Sequence, residues 1–281
     1  MLSIDEGSGV DPICAGQHGG GSWLRQQRKK KRSTGERYRT VKPKLEEEKS
    51  TTTMEKTEDD FTLTLTHNNA NDKVRAIFVV ENGSLTKGFV RKKWKILDSE
   101  EDADFLLKQK KDLNDFRPGR VYEALRAILD SKLNKAGMVG AVYVKTDQGV
   151  LFEIKPHVRI PRTCKRFCGV ILELLGHKCI RDKDTNEILM RVVEEPVTRH
   201  LPVNSRVVGL SYSSEKLVDI DEYVNSGSDE LNLVFVVGAM VHGKISKEYT
   251  NDFISVSNYP LSAQYCIGLI CDSLEHKWKI F

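Results

Sequence analysis

Apolar residues are concentrated after Asn71, and there they alternate between strand-like runs and helix-like stripes. Ala76 to Val80 is wholly apolar, the pattern of a strand buried on both faces. From Val121 to Gly137 the positions Val121, Leu125, Ile128, Leu129, Leu133 and Ala136 fall on one helical face, and Gly137 provides a stop. Gly140 to Thr146 and Val150 to Ile154 predict two strands around an Asp147-Gln148-Gly149 turn. Arg162 to Lys178, entered after Pro161, reads as a helix with a basic start and an apolar end. Val207 to Ser213, Leu231 to Met240 and Ile254 to Asn258 read as further strands, the second apolar enough to be central. A last helix is expected from about Leu261 to the end, with a stripe of Ile267, Ile270, Leu274, Trp278 and Phe281 facing a core or a subunit. Strands and helices in alternation predict an α/β fold with a mostly parallel sheet flanked by helices, and no internal repeat interrupts them.

The 281 residues suffice for one large domain or two small ones. Charge divides them more informatively than length does. From Arg25 to Lys44 there are ten Lys or Arg against Glu36 alone, a net of +9; from Glu46 to Asp60 seven acids face Lys49 and Lys56, a net of −5. Such blocks repel internally and bury too little apolar surface to offset chain entropy. Residues 1–70 are therefore expected to form a disordered charged tail, with an ordered domain over residues 71–281. Within the tail, Arg28-Lys29-Lys30-Lys31-Arg32 has the composition of a nuclear import signal or a nonspecific RNA-binding arm. The longest apolar run, Leu233 to Val241, is nine residues, half of what a membrane span requires. The first 24 residues hold no continuous apolar stretch, so no secretory signal is expected, and the six cysteines are expected to be reduced thiols.

Two segments carry candidate chemistry. Leu231 to Lys244 (LNLVFVVGAMVHGK) runs from an apolar strand into a glycine-containing loop. Gly238, Gly243 and Lys244 approach the spacing of a nucleotide-binding P-loop, but Ile245 has no hydroxyl for magnesium and the residues after it lack helical periodicity. A nucleoside triphosphatase is not expected on that ground, and no dinucleotide fingerprint follows a strand. Glycines at a strand end still allow a backbone to approach a ligand closely; the competing reading is a tight turn with no further role. Lys155 to Arg166 (KPHVRIPRTCKR) holds five Lys or Arg, His157 and no acid. Its Arg159, Arg162 and Arg166 suit a phosphate backbone, Arg162 and Arg166 sharing a helical face, whereas a merely solvated face normally mixes both signs. Cys164 and Cys168 lack the further ligands a zinc site needs and read as buried free thiols; the histidines form no ligand cluster, so no metal is expected. No nucleophile elbow or paired carboxylates support hydrolysis.

Five strings in collinear order then point together: RPGRVYEALRAILDSKLNKAG, GVLFEIKPHVRIPRTCKRFCG, EEPVTRHLPVNSRVVGLSYSS, FVVGAMVHGKI and ISVSNYPLSAQYC. They resemble the Emg/Nep-type small-subunit ribosomal RNA methyltransferases of the SPOUT superfamily, which methylate pseudouridine at N1, and the similarity runs from about Ala76 to Phe281. The resemblance implies a SPOUT fold with a C-terminal trefoil knot, a homodimer, S-adenosylmethionine as cofactor, and work in the nucleus and nucleolus on small-subunit rRNA alongside pre-ribosomal assembly proteins. Carried over by position, it implies cofactor binding by Leu210, by Gly238 and Gly243, and by Val256, Ser257, Asn258, Tyr259, Pro260 and Leu261. It implies RNA contact by Arg117, Arg159, Arg162 and Arg166. It names no general base, so the catalytic residue stays unknown.

The chain also departs from the family pattern. Gly119 stands where the family has Asp after Arg-Pro, Cys164 and Cys168 stand where Phe and Ser are usual, and Glu195 replaces Asn before Pro196. These positions belong to the RNA-facing half. They keep a second function open: an RNA-binding assembly factor with the same fold and weak or lost catalysis.

Overall fold

The computed structural model describes residues 74–240 and 245–281. The tail before residue 71, its basic run and Gly243 lie outside the described residues.

The strands, in chain order, are β1 (Ala76–Gly83), β2 (Lys87–Val90), β3 (Lys93–Ile96), β4 (Val139–Thr146), β5 (Leu151–Ile154), β6 (Cys179–Arg181), β7 (Ile188–Val193), β8 (Ser205–Leu210), β9 (Asn232–Gly238) and β10 (Asp252–Ile254). The α-helices are α1 (Ala103–Lys108), α2 (Pro118–Leu129), α3 (Lys132–Lys135), α4 (Cys164–His177), α5 (Ile220–Asn225) and α6 (Ala263–Lys277). Eight strands form one sheet in the order β10-β8-β9-β1-β4-β5-β7-β6. The half from β10 to β4 is parallel, and β5, β7 and β6 complete an antiparallel edge. The expected mostly parallel α/β sheet is the one observed, with this antiparallel edge added.

β1 and β9 lie at the centre, and Ala76–Val80 and Leu233–Val237 within them are wholly apolar because both sheet faces are covered. On one face Phe78, Val80, Phe235 and Val237 pack with Val121, Leu125 and Ile128 of α2, Phe167 and Ile171 of α4, and Ile267, Ile270 and Leu274 of α6. On the other, Ile77, Val79, Val234 and Val236 pack with Val197, Tyr143 and Ile245. Ile245, the residue that spoils the P-loop pattern, is thus a buried core residue.

Several boundaries move for local reasons. The helix expected over 121–137 is interrupted at Ser131. Its hydroxyl donates to the Ile128 carbonyl at 2.7 Å and accepts from Asn134 N–H at 3.1 Å, which ends α2 and caps α3. Glu275 of α6 then accepts from the Leu133 N–H at 2.8 Å and docks the new turn. α4 begins at Cys164, with the Thr163 hydroxyl accepting from Arg166 N–H. Arg162 therefore precedes the helix, and the helical face it was expected to share with Arg166 does not exist. β8 stops at Leu210, because Ser211 and Ser213 turn the chain through their hydroxyls, 3.0 Å apart. The expected strand over 254–258 is instead β10, which starts two residues earlier and ends at Ile254: Ser255 Oγ donates to the Ser257 carbonyl at 2.8 Å and Ser257 Oγ accepts from Tyr259 N–H at 3.0 Å, which coils the loop. Trp278 packs at the edge of the core, but Phe281 lies past α6 and is fully exposed, so it drops out of the apolar stripe.

β2 and β3 form a separate antiparallel hairpin that the apolar pattern did not predict. Its two-residue turn, Arg91-Lys92, has φ of 49° and 64°, both left-handed. That is the twist a tight hairpin needs, but Asn-Gly usually supplies it; two long side chains there cost about 1 kcal/mol or more each. One strand face is anchored: Val90 and Leu97 join a small core with Leu106 and Phe116, and Gly88 has no Cβ because Leu97 occupies that space.

Candidate functional site

In parallel sheets, ligands settle in crevices beyond the carboxyl ends of the strands. Here the ends of β8 and β9 and the loop after β10 enclose a cavity of about 310 Å³, within the roughly 300–1,000 Å³ typical of small-molecule sites. Leu210, Val237, Gly238, Val256 and Leu261 line it, with Ser211, Ser213 and Ser257 as polar groups, and Ala263 and Cys266 close it from the first turns of α6. A Cβ at Gly238 would meet Met240 Cε at 2.7 Å and Ile245 Cγ2 at 3.2 Å, so a side chain there would have to displace the Met240 tip that borders the cavity. Burial pushes the Cys266 thiol up, so it presents a neutral S–H.

The loops are held from outside the cavity. At the start of β10, Asp252 accepts hydrogen bonds from Tyr223 Oη at 2.6 Å and from Arg206, and pairs with Lys216 at 3.0 Å. Tyr223, then Arg206 and Lys216, hold its carboxyl well below the usual carboxylate range. Ser214 Oγ donates to the Phe253 carbonyl at 2.7 Å and Ser211 N–H to the Ile254 carbonyl at 2.9 Å, tying the β8 turn to β10. On the far side, buried Glu81 at the end of β1 accepts from Tyr249 Oη at 2.7 Å and Ser246 N–H at 3.2 Å, which fixes the chain where it re-enters after residue 244. Burial, reinforced by Glu81, pushes the Tyr249 phenol far up.

A second cavity of about 710 Å³ shares Gly238, Met240, Pro260, Leu261 and Ala263 with the first. Its other wall comes from the start of α2, with Arg117, Gly119, Arg120 and Glu123, from Asp98 and Glu100, and from Cys164 of α4. Arg120 Nη1 donates to the Met240 carbonyl at 3.0 Å, joining the α2 wall to the β9 loop between the cavities.

Of the expected cofactor residues, Leu210, Gly238, Val256, Ser257, Tyr259, Pro260 and Leu261 meet around the first cavity. Asn258 belongs to the same loop without lining it, and Gly243 lies outside the described residues. Of the expected RNA residues, Arg117 reaches the second cavity, at the N-cap of α2. Arg159, Arg162 and Arg166 are exposed around the start of α4 and line neither cavity. Cys164 and Cys168 are half-buried rather than buried, with their sulfurs 3.9 Å apart; the contact lowers the Cys164 thiol and raises Cys168. Among the described residues no cluster of His, Cys, Asp or Glu is placed to hold a metal.

The sequence reading missed Arg120, Met240, the Ser211–Ser213 turn and Glu81. Arg120 sits inside a quoted string, three residues after Arg117, where helical spacing brings both to one helix start. The acid ending the apolar run at Glu81 was the signal for a buried acceptor.

A family model described as EMG1/NEP1 methyltransferase matches residues 63–275. A mouse protein named ribosomal RNA small subunit methyltransferase NEP1 is 39% identical over 206 residues, covering 73% of this chain and 83% of its own. A Caenorhabditis elegans protein named ribosomal RNA small subunit methyltransferase nep-1 is 40% identical over 215 residues, covering 76% and 92%. Among solved structures, Archaeoglobus fulgidus Nep1 bound to S-adenosylhomocysteine superposes with a TM-score of 0.58 at 18% identity, covering 73% of this chain and all of its own, which shows a common fold.

Proposed function

The chain belongs to the EMG1/NEP1 methyltransferase family, and on that premise we propose that it methylates N1 of a pseudouridine in small-subunit rRNA with S-adenosylmethionine as donor, during small-subunit assembly. The observation that carries the proposal is the pair of joined cavities. One is a small cup at three strand ends; the other opens beside it under two arginines. The names of the relatives support the small-subunit rRNA as substrate, and the S-adenosylhomocysteine of the Archaeoglobus protein supports the donor.

The cup suits such a donor: Leu210, Val237, Val256 and Leu261 offer apolar walls for an adenine, the Ser211, Ser213 and Ser257 turns offer polar groups, and Gly238 leaves the room a side chain would fill. When bound, S-adenosylmethionine supplies a methyl already activated on a sulfonium, and its transfer to N1 leaves a proton to be shed. The protein's part is positioning and exclusion of water. Met240, Pro260 and Leu261 form the shared wall against which donor and base would meet. Arg117 and Arg120 face the cavity that an extruded base would enter. Asp98, Glu100 and Glu123 are the carboxylates that line it and can accept the proton. Arg159, Arg162 and Arg166 hold the RNA backbone outside it.

The same reading takes residues 1–70 as a tail that addresses the chain to the nucleus and nucleolus through Arg28–Arg32, and residues 71–281 as one SPOUT domain, knotted at its C-terminal end and working as a homodimer with assembly proteins. The direct test incubates the purified chain with radiolabelled S-adenosylmethionine and two matched rRNA hairpins, one with pseudouridine and one with uridine at the target. Label on the pseudouridine hairpin alone is the expected result; label on both, or on uridine alone, refutes the N1 specificity. One feature favours a second reading, an assembly factor with little catalysis: Gly119 leaves open space where the family's carboxylate would stand beside Arg117. No label on either hairpin, with the donor still bound in calorimetry, is its signature.

A further inference from the structure

The β2–β3 hairpin carries two large aromatic side chains that no core absorbs. Phe89 and Trp94 are directly opposed across the strands, and their rings lie 5.4 Å apart and tilted by 57°. They are 53% and 59% exposed, although Val90 beside them is buried in the small core beneath the hairpin. The hairpin's fold is thus secured by its other residues, and the two rings are spare.

Their surroundings are strongly of one sign. From Lys87 to Lys95 there are five cations and no acid. Lys95 is held by Glu101 at 2.7 Å and Asp102 at 2.8 Å, but among the described residues no carboxylate pairs with Lys87, Arg91, Lys92 or Lys93. Arg91 and Lys92 form the turn itself, in left-handed backbone that favours Asn or Gly. The hairpin also continues the arginine surface already described. β3 packs on α4, and Glu101 bridges Lys95 to Lys165 at 3.1 Å, one residue before Arg166.

Paired exposed rings set among unpaired cations fit one class of ligand: unpaired bases that stack on aromatic faces while their phosphates meet Lys and Arg. Protein surfaces of mixed charge and anionic lipid do not require two presented ring faces. We propose that the β2–β3 hairpin is a stacking platform for single-stranded RNA, with Phe89 and Trp94 each receiving a base and Arg91, Lys92 and Lys93 the adjoining phosphates. It rests on the RNA-binding reading above and adds to it a second contact, to unpaired nucleotides flanking the structured target.

The test uses the full chain and two fluorescent RNAs: a blunt stem-loop, and the same stem-loop with a ten-uridine single-stranded extension. Wild type should prefer the extended RNA. Trp94→Ala and Phe89→Ala should each remove about tenfold of affinity for it, a common loss on truncating a stacking ring, with no change on the blunt RNA. Trp94→Phe should retain most of the affinity. Both rings are exposed, so thermal unfolding should not move, which separates lost stacking from lost folding. Equal affinity of Trp94→Ala and wild type for the extended RNA overturns the platform, as does an equal loss on both RNAs. A smaller sedimenting species for Trp94→Ala overturns it in favour of a contact between protein copies. Failure of wild type to bind either RNA would sink the RNA reading itself, whereas tight binding indifferent to Trp94 sinks the platform alone.

Discussion

Replacing Gly119 by Asp puts a carboxylate where the family pattern has one, and the structure says what it should do. An added Cβ meets nothing within 4 Å, so the side chain enters without strain. Gly119 is the second residue of α2, a helix with no acid in its first turn and no side-chain cap from Arg117. A negative charge there faces the positive end of the helix dipole, for about 0.3–1 kcal/mol, and removing a helical glycine contributes about 0.5 kcal/mol more. About 1 kcal/mol of added stability should raise the melting temperature by roughly 2–4 °C in a domain of this size. Beside it in the same cavity wall stand Arg117 and Arg120. A charge-assisted hydrogen bond that orders Arg117 for RNA is worth roughly 1 kcal/mol, or about fivefold in affinity for the cognate hairpin. Thermal unfolding and an RNA titration read the two effects separately. A higher melting temperature with unchanged or weaker RNA binding refutes the ordering of Arg117 while leaving the helix arithmetic standing. The gain in affinity should vanish when Arg117→Ala is added to Gly119→Asp; persistence there also refutes the mechanism.

Arg162→Ala removes an exposed cation with no structural partner among the described residues, so it should weaken RNA binding and flatten its salt dependence by about one unit, with donor binding unchanged in calorimetry; an unaltered salt slope removes Arg162 from the phosphate contacts. Asp252→Asn should lower stability by about 1–2 kcal/mol, an intermediate figure because the carboxylate is buried enough to be held by three partners yet remains 22% exposed. Since the Asp252 carboxyl is held below its ordinary value, its contribution is full above about pH 4 and fades as pH falls further. The gap in melting temperature between wild type and Asp252→Asn should therefore narrow from pH 5 to pH 3, and a constant gap would contradict the assignment.

What the sequence made legible was what local pattern and burial decide together. Ala76–Val80 of β1 and Leu233–Val237 of β9 are continuous apolar runs because both faces of a central strand are covered, and the β4–β5 turn announced itself through Asp147-Gln148-Gly149, with Gly149 at φ 78°. The β2–β3 hairpin was illegible for the opposite reason. Its apolar positions are broken by lysines, its rings face outward, and its turn lacks the residues that usually mark one. The break at Ser131 was invisible to periodicity, since the apolar stripe continues across it while a hydroxyl and Glu275 redirect the backbone. Gathering of the cup residues followed from the resemblance. The Arg120 bond to Met240 did not, because it depends on how closely α2 lies over the end of β9.

That bond bears on how the two cavities work together. The donor cup is bounded by parallel strand ends clamped through Asp252 and Glu81, neither of which lines it. Its wall toward the second cavity rests on Met240, which lies next to residues outside the described set and whose carbonyl is held by Arg120. Arg120 stands one helical turn from Arg117, at the start of the helix where RNA is proposed to dock. An anion arriving there draws on the same guanidinium that secures the Met240 carbonyl, and a guanidinium has five N–H donors with which to serve both. The proposed RNA entrance and the wall of the cup therefore share one side chain. On the proposed reading, substrate and donor sites would communicate through Arg120 rather than through the exposed Arg159, Arg162 and Arg166, which line neither cavity.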